Sequence, residues 1–140
     1  MRRALAIGLL CSGLAACAIP SPWTIPKFPD WPVDLAADRK ACDQNYPPQV
    51  GNYLAHAQCV NAAVERDAIP FSRHPDIVRL QEQLRLKYSA MIDRGALTPQ
   101  AGQRKMAEAD AIVNQAMRDR DYGRVATANH RVNRLQALLQ

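Results

Sequence analysis

The sequence predicts an all-α protein, a small helical bundle built on αα-hairpins and preceded by an extended proline-rich arm. Three observations carry this. From residue 50 onward, apolar side chains recur at three- and four-residue spacing, the period of a one-sided helix. Aromatic residues make up only 6% of the chain while alanine is abundant, which suits close-packed helices better than sheets. Prolines crowd residues 18–32, where they exclude helix and central strand. A length of 140 residues allows one folded domain, expected over 33–140, behind two N-terminal segments, 1–16 and 17–32.

The first segment opens with Arg2-Arg3 and continues as an apolar run from Ala4 to Ala16. With Pro20 closing it, the run falls short of the roughly 20 residues that span a bilayer as a helix, so a cleaved signal is expected. The run ends in Leu14-Ala15-Ala16-Cys17, which resembles the lipobox of bacterial lipoproteins. Cys11 is the poorer match, because bulky Leu10 stands where that family has a small residue. The resemblance covers residues 1–17 and implies cleavage before Cys17 with a diacylglyceryl group on its sulfur, often with a further acyl chain such as palmitate on its amine. At about 0.8 kcal/mol per buried methylene, two or more chains hold a protein on a membrane where one does not. Ala18 in place of Asp implies, by the sorting rule of that family, the outer membrane and a periplasm-facing domain. The inner membrane and the cell surface stay open.

The second segment is expected to be an extended polyproline-II-like arm. At about 3.1 Å per residue it reaches roughly 45 Å from the lipid. Ile25, Phe28 and Trp31 recur every third residue, the period of polyproline II, and so form one apolar ridge. Such a ridge needs a surface, which is this protein's own helices, a partner's groove or the lipid headgroup layer.

Within the domain, a short helix is expected from Pro32-Val33-Asp34 to about Gln44, stopped by Tyr46-Pro47-Pro48. A second runs from about Val50 to Ala68 with Leu54, Ala57, Val60 and Val64 on one face, and Pro70 closes it. Cys42 and Cys59 remain once the leader is removed, and an even pair in an oxidising compartment reads as a disulfide. A Cys-His-Cys metal site with His56 is the competing reading, but it lacks a fourth ligand and any CxxC pair. Phe71, in the turn after Pro70, is expected to plug the core. A third helix follows from Pro75 to about Arg94, with a seam of Ile77, Leu80, Leu84, Tyr88 and Met91, and Gly95 ends it. Thr98 and Pro99 then restart a helix after too few residues for anything but an antiparallel reversal. Met106, Ala109, Val113 and Ala116 carry its seam. Tyr122-Gly123 breaks the register, and Val125, Ala128, Val132, Leu135 and Leu139 begin a new one.

That last helix either docks on the preceding hairpin or projects as a partner helix. In the second case Val125, Val132, Leu135 and Leu139 join Ile25, Phe28 and Trp31 as candidate partner-binding residues.

The formal charge is +5, and it is unevenly spread. Residues 73–140 hold twelve basic and seven acidic side chains, and acids interrupt every basic cluster, so a solvated helical surface is the expectation. No catalytic motif, Gly-rich phosphate loop or metal-ligand spacing is present in the sequence. His56, His74 and His130 are far apart in sequence, and Ser21, Ser72 and Ser89 have no neighbouring acid or histidine to support them. No enzyme activity, cofactor beyond the lipid on Cys17, or nucleic-acid partner is expected. The expectation is a lipid-anchored envelope protein that works by protein–protein interaction, as an accessory, assembly or scaffold subunit, or by self-association. The alternative is a periplasmic ligand-binding or inhibitor module using an inter-helix pocket or the basic face.

Overall fold

The computed structural model describes residues 35–140. Among them are five α-helices and no strand: α1 (Leu35–Asn45), α2 (Tyr53–Asp67), α3 (Pro75–Asp93), α4 (Pro99–Asp121) and α5 (Val125–Leu139), with one 3-10 turn at Ile69–Phe71. The protein is an all-α helical bundle. Cys17 and the arm residues Ile25, Phe28 and Trp31 lie outside the described residues.

Both long reversals end in the same way. At the end of α3, Gly95 adopts φ +72°, its N–H donates to the Ile92 carbonyl (2.9 Å), and the Ala96 N–H donates to Met91 (2.8 Å). At the end of α4, Gly123 adopts φ +71°, with its N–H to Arg120 (3.0 Å) and the Arg124 N–H to Asp119 (2.7 Å). These are Schellman closures, which need a left-handed residue that glycine supplies without strain. Thr98 then caps α4, its hydroxyl accepting from the Ala101 N–H at 3.2 Å, with Pro99 in the first turn. Just inside α4, a Cβ on Gly102 would lie 2.5 Å from the Ile92 side chain, so the bare glycine lets α3 and α4 approach closely.

The apolar side chains gather into two cores. The larger unites α3, α4 and α5 through Ile77, Leu84, Tyr88, Ala109, Ile112, Val113, Ala116 and Leu135. The smaller joins α1, α2 and the 3-10 turn through Cys42, Val60, Val64 and Ile69, with Val78 of α3 packed against it. Among the described residues, α1 packs on α2 alone, and the α1–α2 hairpin meets the three-helix core only through α3. Residues 35–140 lie within one compact unit. Both cores and the cystine lie within it.

Phe71 does not plug either core. It is 56% exposed, and Ile69, 8% exposed, takes the inward place. In a one-turn 3-10 helix, residues two apart cannot share a face.

The N-terminus of α2 is capped from a distance. Asn52 precedes the helix without a side-chain capping bond. Asp93, at the end of α3, accepts instead from the N–H groups of Gly51 (2.7 Å) and Tyr53 (3.2 Å) with one oxygen and Leu54 (2.8 Å) with the other. Burial raises the Asp93 pKa, but the Leu54, Gly51 and Tyr53 N–H groups together bring it below its ordinary 3.8. Its contribution to stability is therefore present above that ordinary value and disappears as pH falls through the lowered one. Asp93→Ala should destabilise by about 1–2 kcal/mol in urea unfolding at pH 7, and the difference should shrink in strong acid.

Candidate functional site

The last helix docks. Leu135 is fully buried in the three-helix core, with Val132 and Leu139 packed against it. Polar contacts hold the same position. Lys87 of α3 donates to the Leu138 carbonyl near the end of α5 at 2.9 Å. Asp119 of α4, 5% exposed, accepts from Arg124 at 2.8 Å and from Arg131 at 2.8 Å. Those two arginines hold its carboxyl below the usual range. In this arrangement Leu135 is not open to a partner, while Val132 and Leu139 are half-buried against the same core. Their heptad spacing matches the face of the α3–α4 hairpin, and burial there uses it. Val125, at the first turn of α5, is 56% exposed and stays available.

Cys42 and Cys59 form a disulfide between α1 and α2. With both sulfurs engaged, the Cys-His-Cys metal reading falls, and His56 instead bonds Asp43 at 2.7 Å. Beside the disulfide lies a cleft of about 190 Å³ lined by Asp38, Ala41, Ala62, Ala63 and Arg66. That is below the roughly 300–1,000 Å³ of typical small-molecule pockets. Arg66 closes one end, donating to Asp38 and to both oxygens of Asp67 (2.7 and 2.9 Å). The Asp67 carboxyl is lowered chiefly by that Arg66 hydrogen bond.

Between α2 and α3 several polar contacts cross the interface. Asn61 donates to the Glu82 carbonyl at 3.1 Å and accepts from Arg85. Arg79 places two N–H groups on Glu65, at 3.0 and 3.3 Å. Glu82 is 5% exposed, and its Oε1 has no hydrogen-bond donor. Burial first, then the nearby Glu65 charge, raise its pKa above the ordinary value, whereas hydrogen bonds from Arg79 lower that of Glu65. No feature of the sequence distinguishes Glu82 from a surface glutamate, because its burial depends on how α2 crosses α3.

The helix directions gather several termini at one end of the bundle. Arg66 in the last turn of α2 reaches Asp38 in the first turn of α1, so that pair runs antiparallel. The start of α3 binds the end of α4 through Asp76–Arg120 at 2.7 Å and His74–Asp121 at 3.0 Å. The start of α1 therefore shares an end with the α4–α5 turn, whose Tyr122 is 72% exposed. The Arg124 guanidinium lies 5.1 Å from the centre of the Tyr122 ring. Half of the twelve basic side chains of residues 73–140 are paired, with Arg73, Arg79, Arg120, Arg124, Arg131 and Arg134 each within ion-pair distance of an acid. Among the described residues, no cluster of three or more His, Cys, Asp or Glu side chains could hold a metal, and no helix is long and apolar enough to cross a membrane. Comparison with protein-family models, characterised proteins and solved structures finds no match to this chain.

Proposed function

We propose that this is a lipid-anchored envelope protein, held by acyl chains on Cys17 at the outer membrane and facing the periplasm, which works by binding another protein. The observation that carries the reading is the Cys42–Cys59 disulfide. Disulfides persist in oxidising compartments, and this one uses the two cysteines that remain when Leu14-Ala15-Ala16-Cys17 is read as a lipobox. The exposed pair Tyr122 and Val125, at the end of the bundle where α1 starts, supports a protein-binding role. The paired arginines speak against the runner-up, a basic face for an acidic polymer, because their charge is already answered within the chain.

Photocrosslinking in cells from Trp31, Tyr122 and Val125 tests the binding role. One envelope protein, or a second copy of this chain, should be captured reproducibly from at least one of them, and capture at none of the three removes the reading. Cys17→Ser should in the same cells move the protein from the membrane to the soluble fraction. Retention in the membrane removes the anchor.

A further inference from the structure

We propose that Glu65 and Glu82 form a proton-dependent latch that fastens the disulfide-braced α1–α2 hairpin to the three-helix core. The hairpin has no other helix to rest on, because among the described residues it reaches α4 and α5 nowhere. Val78 of α3 packs on the hairpin's own core, and polar groups cross the same junction.

Within that junction Glu82 is the group that does not balance. It is 5% exposed, and Oε1 accepts no hydrogen bond. Its nearest cations each hydrogen-bond another group, although the charges of Arg85 and Arg79 still act on Glu82 and oppose the rise in its pKa. Arg79, one turn earlier on α3, is forked onto Glu65 of α2. Arg85, three residues later on α3, donates to Asn61 of α2. Arg39 of α1 and Asp110 of α4 act on Arg85 rather than on Glu82. An ionised Glu82 would thus hold one buried oxygen, Oε1, without a donor while facing the like charge of Glu65. Such an arrangement favours uptake of a proton.

A proton on Glu82 resolves both problems. The carboxylic acid O–H donates to Glu65, which is already the acceptor of Arg79, so three side chains from α2 and α3 close one chain of hydrogen bonds. The two carboxyls then share one proton, and it resides on Glu82 because Arg79 keeps Glu65 ionised. The sign follows. The latch is fully closed below the ordinary glutamate pKa of 4.5 and opens as pH rises through the elevated midpoint of Glu82. Once it is open, the Asp93 cap and the turn at Ile69–Phe71 still join hairpin to core, so the two parts move relative to each other without unfolding. Because residue 34 leads directly into α1, the hairpin is the part the arm carries, and the proton would set how rigidly the core follows it. The inference concerns the bundle alone and does not depend on lipidation.

The test is hydrogen exchange across pH on the full chain, corrected for intrinsic rates, with carbon-13 NMR titration of the glutamate carboxyls. Protection of α1 and α2 amides should fall relative to α4 and α5 above the Glu82 midpoint, by up to about tenfold per pH unit for one proton. Glu82→Gln keeps the shape and donates permanently to Glu65, so it should flatten that dependence. Glu65→Gln removes the facing charge and should lower the Glu82 midpoint. A Glu82 that titrates in the ordinary carboxylate range overturns the latch. So does an unchanged pH profile in Glu82→Gln, or a Glu82 midpoint unmoved by Glu65→Gln.

Discussion

Replacing Leu135 with alanine should lower the free energy of unfolding by about 3–4 kcal/mol, within the range seen for leucine deletions in tight cores. Leu135 is fully buried, and the core cluster it belongs to draws on two other helices: Ile77, Leu84 and Tyr88 on α3, and Ala109, Ile112, Val113 and Ala116 on α4. Two members, Ala109 and Ala116, are alanines, which are short and cannot move inward to fill the space. Much of the cavity should therefore persist, and the cost should fall toward the upper part of the usual range. Val125→Ala, on the same helix but 56% exposed, should change stability by less than about 0.5 kcal/mol. Urea denaturation of both variants measures the contrast. Equal, small effects would mean that α5 is not part of the core and would return its heptads to the list of partner surfaces.

Removing the disulfide is the other large effect. Cys42→Ser with Cys59→Ser reopens a loop of sequence separation 17, and chain entropy alone values that closure at about 3 kcal/mol. The loss should be local. Cys42 is the sole buried residue of α1, and an 11-residue helix is marginal in water without tertiary support. The double serine variant should therefore release α1 first and expose Val60, Val64 and Ile69, the partners of Cys42 in the smaller core. The three-helix core should keep its own protection, since it shares no buried residue with the smaller one. Hydrogen exchange resolved by helix distinguishes this from global loss. Uniform loss of protection across α3, α4 and α5 would show that the two cores are one cooperative unit.

What was legible in the sequence was whatever neighbouring residues decide. Gly95, Thr98 and Pro99 mark the α3–α4 reversal because a left-handed position, a capping hydroxyl and a missing N–H each act within one turn. Ala57, Val60 and Val64, then Ile77, Leu84 and Tyr88, then Ala109, Val113 and Ala116 read as buried because a regular helix repeats its inner face. The disulfide was legible as the pair Cys42 and Cys59, the two cysteines expected to remain if the leader is removed.

What was not legible depends on crossing geometry. Asp93 caps a helix that begins 40 residues earlier, and no local pattern announces that. Glu82 sits where period alone does not distinguish a buried position from an exposed one, and glutamate is rarely buried. Ile112 is 5% exposed although it falls beside the expected α4 seam, because α4 is gripped by α3 and α5 together and so buries a broader stripe than a simple hairpin needs. Phe71 was misplaced for a related reason, since size argued for burial while a one-turn helix turned Ile69 inward instead. The α5 heptads were read correctly as a seam and left open between two surfaces, and the bundle settles them inward at Leu135.

The most direct measurement is the intact mass, under non-reducing conditions, of the protein recovered from cell membranes. The expected mass is that of residues 17–140 plus a diacylglyceryl group, with or without a further acyl chain, and less two hydrogens for the Cys42–Cys59 disulfide. A mass that corresponds to an unmodified Cys17, or to a mature chain beginning at any other residue, would contradict the anchored reading.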